Sequence, residues 1–361
     1  MESALALLEI KSCDAGVGYG VPFSTATCVT ERYNKEFFPF GSFFLPAIEI
    51  LNNYFKYDQI PADDEGQGTL EKLLTFLLDY EDACVKTFNN LRDGEAARTV
   101  GAIVAREYLS KLTMASHYTL DHHYGKTKCA HCQLQTETCK DQTGLQFGDT
   151  SMGNKNAWHG SLDIIMGQAD VFVQTFDDPA SFEDPTTDEL KKSTLQEKLI
   201  RSEIYSEIIV FSFLQKKRHS ELRHFMVPSI AMTKNVLKFI FYDSEKDYLL
   251  ESFEFEWLFG GKHLNYETVI ATWFVLNYKY LSSGVTSRLE KSPSSHFFDF
   301  VGEKLSLYEN ELQLGNVHKG FREEPILNQR AVYTIGATFV WPSDIKQYNE
   351  ELQDLNPHNS Q

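Results

Sequence analysis

The sequence is short of positive charge: 34 lysines and arginines stand against 51 aspartates and glutamates, a formal net charge of −17 over 361 residues. A protein that grips nucleic acid through its phosphates needs a basic surface or a concentrated basic face. The average field of this chain therefore disfavours an unaided nucleic-acid partner. Long apolar runs are missing too. Stretches such as Ile208–Leu214 fall far short of the ~20 residues that span a bilayer, so no membrane partner is expected. The opening MESALALLEIKSCD lacks a basic leader and is interrupted by Glu9 and Lys11, which argues against a signal peptide. Only six cysteines are present, too few for the dense disulfide framework of a small secreted domain. Together these absences predict a soluble protein of a reducing, intracellular compartment, cytoplasmic or nuclear. No internal repeat is visible.

What is present is globular. A hydrophobic fraction of 42% against 24% charged excludes general disorder and supplies a sizeable core. Aromatic clusters fill EFFPFGSFFLPAIEILNNYF, where Phe43–Tyr54 reads as a helix broken by Pro46 or as a packed loop leading into one. Leu70, Leu73, Leu74, Leu77 and Leu78 recur at helical spacing over Thr69–Leu91, and a second helix is expected over about Glu95–His117. Residues 1–120 are thus expected to be mainly helical. Residues 121–155 are polar and read as a long loop. Trp158–Met166, a turn at Gly167-Gln168 and Ala169–Phe176 read as a β-hairpin. An acidic insertion over 177–193 and a helix over Leu195–Arg218 follow. Strands are then expected over Met226–Ala231, Val236–Asp243 and Asp247–Ser252, a helix over Tyr266–Leu281, and one more strand over Ala331–Trp341.

This order of helix, hairpin, helix and strands, with WHGSLDIIM, RSEIYSEIIVFSFLQKKRH and VPSIAMTKNVLKFIFYDSEKDYLLES, resembles the core of the PD-(D/E)XK, or restriction-endonuclease-like, nucleases over roughly Ala157–Arg288. The resemblance implies an α+β fold: a helical N-terminal region (1–120), a Cys/His-containing loop (121–155), a core with a central mixed sheet flanked by helices (156–290), and a C-terminal extension (291–361). It also implies a magnesium cofactor, bound by Asp163 in the place of the strand aspartate. The chemistry requires a second carboxylate on the neighbouring strand and a lysine two residues on, facing the same way. Here the matching positions read Val171-Phe172-Val173-Gln174 where an active member reads V-E-V-K.

Three readings follow. The leading one is a nuclease-like protein with a degenerate catalytic strand, acting by binding nucleic acid or protein. The second is an active Mg-dependent nuclease that uses Asp163 with a displaced carboxylate, Glu203 or Glu207 from the following helix or Asp170 at the strand start. The third is a non-enzymatic interaction or structural protein. Glu107, on the helix before the hairpin, is a candidate outer metal partner, against a solvated glutamate paired with Arg106 or Lys111. Glu203 and Glu207 stand one helical turn apart and repel as a structural pair, unless Arg201 or Lys198 satisfies them. Lys216, Lys217, Arg218 and Arg223, beside His219, form the clearest basic cluster, a candidate phosphate contact or a complement to a helix C-terminus. Cys129, Cys132 and Cys139 with His123 (or His122) are a candidate zinc set, against free thiols on a loop. His159 is a candidate base, against packing beside Trp158.

Overall fold

The computed structural model describes residues 3–91, 97–115, 117–121, 145–168, 170–176, 187–259 and 262–317. The chain opens on two long strands, β1 (Ala4–Cys13) and β3 (Cys28–Pro39), with the short β2 (Val21–Pro22) between them. These strands stand at the start of the region expected to be mainly helical, and its helices follow them. β1 lies between two other strands and is buried over Leu5–Leu8 and again at Ile10. A strand covered on both faces carries a continuous apolar run rather than an alternation, so ALALL gives no strand signature.

Helix α1 (Leu45–Tyr57) follows, with Pro46 in its first turn. There the absent N–H is no loss and the fixed φ favours entry, so proline starts this helix instead of breaking it. The expected 69–91 helix is a continuous run of α2 (Asp64–Thr75), a π turn and α3 (Glu81–Asn90). Asp63 caps it, its Oδ1 accepting the Gly66 N–H at 2.8 Å. Next come α4 (Ala97–Val104), a second π turn and α5 (Ser110–Leu112). β4 (Tyr118–Asp121) enters the segment expected as a loop, and β5 (Leu145–Gly148) and β6 (Ser151–Gly153) lie within it. Residues 122–144, with the candidate zinc set Cys129, Cys132, Cys139 and His123, lie outside the described residues, as does the strand expected over 331–341.

The expected hairpin is real in its second half only. β7 (Trp158–Ser161) belongs to a separate small sheet, while β8 (Ile164–Met166) and β9 (Val171–Thr175) form the hairpin. Helix α6 (Thr187–Arg218) then crosses over to β10 (Met226–Met232), parallel to β9. β11 (Val236–Asp243), β12 (Tyr248–Ser252), β13 (Phe255–Glu256), β14 (Leu258–Phe259) and β15 (His263–Leu264) follow. Helices α7 (Tyr266–Leu276), α8 (Tyr278–Leu281), α9 (Phe297–Val301) and α10 (Leu305–Asn310), then β16 (Gln313–Leu314), complete the described chain.

The strands assemble into a ten-stranded mixed sheet in the order β3-β1-β12-β11-β10-β9-β8-β4-β5, with β13 added on β11. A second sheet runs β16-β6-β7-β2. The fold is mixed α+β, a large sheet with flanking helices, and the buried apolar side chains form one continuous cluster. Trp158, fully buried, packs on Phe297 and Tyr308 and donates its Nε1–H to Asp14 at 2.7 Å, which makes it a core residue joining β7 to the C-terminal helices. Among the described residues no helix is long and apolar enough to cross a membrane.

Candidate functional site

Asp163 sits where the chain leaves the small sheet at β7 and enters the large one at β8. Its backbone is held on both sides. The carbonyl accepts the Asp121 N–H at 3.0 Å, and its own N–H donates to Gln174 Oε1 at 3.1 Å. The side chain is held as well: Oδ2 accepts from the Thr175 N–H at 2.9 Å and from the Thr175 hydroxyl at 2.5 Å. The Thr150 hydroxyl bridges Asp121 Oδ2 and the Leu162 carbonyl, locking the bend before Asp163.

The strand register fixes which residue of β9 faces it. Ile164 pairs with Val173 and Ile165 with Phe172, so the next position outward places Asp163 opposite Gln174. Gln174, not Phe172, therefore stands in the place of the second strand carboxylate, which corrects the alignment with V-E-V-K. Phe172 is fully buried and packs edge-on against Phe211 of α6, ring centroids 5.0 Å apart. That contact also sets the helix against the strand. Two residues along β9 advance about 6.6 Å, and four residues back along α6 retreat about 6 Å. With Phe172 on Phe211, Gln174 comes to the level of Glu207, and Glu203 lies one turn further on.

Glu207 is the least ordinary side chain of the group. It is fully buried, and neither carboxyl oxygen has a hydrogen-bond partner among the described residues. Burial pushes its pKa well above the ordinary 4.5, and the nearby Glu203 and Asp163 charges push it further. Glu203, half-buried, is raised by burial and then by Asp163. Arg201 does not neutralise them: among the described residues neither glutamate makes an ion pair. Three carboxyls and a carboxamide thus share one region with the oxygen donors that hard cations prefer. Among the described residues no three His, Cys, Asp or Glu side chains converge into a ready-made metal cage. Like charges without a counterion keep apart, and magnesium retains several waters and takes one or two carboxylates.

The other sequence candidates are placed elsewhere. Glu107 pairs with its neighbour Arg106, and its carbonyl accepts the Cys84 thiol at 3.0 Å, which ties it to α3 and not to the carboxyl group around Asp163. Asp170, at the opposite end of β9 from Gln174, pairs with Lys279 of α8. His159 turns its Nδ1 to the Ala157 carbonyl at 3.0 Å. The basic cluster occupies the C-terminal end of α6, with Lys216 nine residues beyond Glu207, about 13 Å along the axis. Lys217 donates to the carbonyls of Asn310 and Leu312 at 2.7 and 3.3 Å, and Lys216 stands over the Phe225 ring at 5.7 Å. Two of its members are thus structural, while Arg218 and Arg223 are exposed. The cluster does not adjoin the carboxyls.

Sequence reasoning missed Thr175, Asp121 and Thr150. The first was legible in principle, being the neighbour of Gln174; the other two come from β4 and from the link between β5 and β6, distant in sequence from the hairpin. Thr175 is itself held from behind by α4, where a Cβ built on Gly101 would fall 2.4 Å from Thr175 Cγ2. Because the hydroxyl on the same Cβ holds Asp163, Thr175 cannot rotate away without releasing it. Gly101→Ala is therefore expected to cost about 1–3 kcal/mol through overpacking and to free the Asp163 carboxylate. Urea denaturation and cation titration of the variant check both effects; a variant with wild-type midpoint and wild-type cation affinity refutes the linkage.

No family model, curated protein or solved structure matches this chain.

Proposed function

We propose that Asp163, Glu203 and Glu207 form a divalent-cation site, and that the chain is a diverged restriction-endonuclease-like phosphodiesterase whose second metal carboxylate comes from α6 rather than β9. The observation that carries this reading is Glu207. A buried carboxyl without a donor costs about 1–3 kcal/mol, and a structural role at that depth would be served by an apolar side chain. A hard cation is the partner that satisfies an all-oxygen group of this kind. The element order supports the family: α4–α5, then β4, β8 and β9, then α6, then β10 parallel to β9, with the aspartate at the head of the middle strand.

A bound magnesium would supply a Lewis acid for a phosphoryl oxygen and a bound water of lowered pKa. The chain's own residues do the rest. Thr175 aims the Asp163 carboxylate by holding one oxygen, and Gln174 fixes the Asp163 backbone. Glu207 gives up a proton when it becomes a ligand, and Phe172 with Phe211 closes the floor of the site against water.

The test is direct binding of Mg²⁺ and Mn²⁺ by calorimetry, followed by cleavage assays on single- and double-stranded DNA and RNA. Wild-type protein is expected to bind, with affinity reduced tenfold or more, about 1.4 kcal/mol, in Asp163→Asn and in Glu207→Gln. Cleavage is expected to vanish in Asp163→Asn. Wild-type protein that binds neither cation sinks the reading; binding without cleavage of any substrate removes the hydrolase and leaves a cation-dependent binding protein.

A further inference from the structure

We propose that Cys13 and Cys28 form a redox-active dithiol that exchanges with low-molecular-weight disulfides of the glutathione class and closes to a cross-strand disulfide. The two residues are direct partners in the antiparallel ladder of β1 and β3. Such partners have Cα atoms about 4.5–5.5 Å apart, inside the ~4.4–6.8 Å that a disulfide bridges. Both thiols are free, and the two side chains lie on the same face of the ladder, opposite each other. Cys13 Sγ also accepts the Ala15 N–H at 3.4 Å.

The two sulfurs differ in access, which gives the exchange an order. Cys28 is buried at 1% exposure, whereas Cys13 is half-buried and meets the solvent first. The backbone of Cys28 is pinned to α6, its N–H donating to Ser202 Oγ at 3.2 Å and its carbonyl accepting the same hydroxyl at 3.3 Å. β1, in contrast, carries a bulge between Ile10 and Ser12 just before Cys13, so the strand bearing the outer sulfur has the slack to adjust. Cys84 is buried too, donating to the Glu107 carbonyl and pushed up to about 12 mainly by burial; Cys28 is likewise pushed well above its ordinary value, by the neighbouring Cys13 and by burial.

In the first step the Cys13 thiolate attacks one sulfur of glutathione disulfide; that S–S bond breaks, and one glutathione leaves as its thiolate. In the second, Cys28, having lost its proton, attacks Cys13 Sγ and expels the second glutathione thiolate. The two protons from Cys13 and Cys28 end on the two glutathiones, so the protein is oxidised by two electrons and glutathione disulfide is reduced by two.

The experiment equilibrates the full chain with glutathione disulfide, alkylates the remaining thiols with iodoacetamide, and maps the peptides by mass spectrometry. In the wild type a peptide pair linked through Cys13 and Cys28 is expected, and dithiothreitol is expected to release it. Cys28→Ala is expected to stop at glutathione on Cys13, with circular dichroism confirming its fold. Wild-type protein in which both sulfurs are alkylated, under a glutathione ratio that oxidises dithiothreitol, overturns the proposal. So does glutathione that stays on Cys13, or Cys13 linked to a different cysteine. Because the readout is covalent and needs no cation, its failure is distinguishable from failure of the cation site.

Discussion

Glu207→Met is expected to make the protein more stable at neutral pH by about 1–3 kcal/mol, the desolvation penalty of an unsatisfied buried polar group, while abolishing divalent-cation binding. Methionine matches the length of glutamate and adds apolar contacts in a place that already excludes water. The sign of the pH dependence follows from the raised pKa. Between the ordinary value of 4.5 and the higher folded value, the folded state holds a proton on Glu207 that the unfolded chain has released. Stability contributed by this group is therefore complete below about pH 4.5 and is lost as pH rises through that window. Glu203, shifted the same way by burial and by Asp163, steepens the slope. Glu207→Met removes the larger share. Its urea midpoint is expected to exceed that of the wild type at pH 7.5, with a gap that shrinks toward pH 4.5.

Cation addition reverses the comparison. A ligand that binds only the folded state stabilises by RT ln(1 + [L]/Kd), about 2.7 kcal/mol at a hundredfold excess over Kd. Wild-type protein is thus expected to gain in midpoint with millimolar Mg²⁺ or Mn²⁺, more at pH 8 than at pH 6, because the cation must displace the proton. Glu207→Met is expected to gain nothing. A methionine variant less stable than the wild type at pH 7.5 would show that Glu207 is structural, and the cation reading would go with it.

The second large effect separates Phe172 from Gln174. An alignment that matches Phe172 to the missing glutamate predicts that Phe172→Glu rebuilds a metal ligand. The structure predicts the reverse. Phe172 has no exposed surface and packs on Phe211, so its removal alone costs about 3–5 kcal/mol, and a carboxyl in its place adds the penalty of burying an unpaired polar group. Against a typical stability of about 5–15 kcal/mol, Phe172→Glu is expected to yield little folded protein. Gln174→Glu keeps the shape of the side chain and leaves an oxygen to accept the Asp163 N–H. It is expected to fold and to bind Mn²⁺ about tenfold more tightly, a change of 1.4 kcal/mol. Soluble yield and denaturation midpoints decide the first half, calorimetry the second. A well-folded Phe172→Glu with enhanced cation affinity would overturn the register assigned to the hairpin.

That register shows where a sequence stops being informative. Asp163 was legible, because an aspartate after a glycine at the head of an apolar run is a local pattern. The strands over 226–232, 236–243 and 248–252 and the helix from Tyr266 were equally local, each bounded by its own turn residues. Glu203 and Glu207 were visible as a pair on one helix face for the same reason. The facing residue on β9 was not. Phe172 and Gln174 lie on the same face of β9, so the alternation does not tell them apart, and a turn after Met166 of four residues instead of two moves the opposing position from one to the other. Only the hydrogen-bonded ladder fixes it.

The sequence by itself determined the local elements and the residue types able to do metal chemistry, since helical spacing, turn residues and carboxyl groups are properties of short stretches. Tertiary structure alone decided which of those groups meet. It placed β1 inside the large sheet, although burial of Leu5–Leu8 on both faces hides the strand period, and β3 on that sheet's edge. It set Glu207 at the level of the Asp163–Gln174 pair through the Phe172–Phe211 contact, and it left the basic end of α6 a dozen ångströms and more away. It also brought Cys13 opposite Cys28 although residues 14–27, with β2 among them, separate the two in sequence. The physical reason is common to all of these. Burial and register depend on contacts between residues far apart in the chain, and no local pattern encodes the free energy of a contact whose other half lies elsewhere.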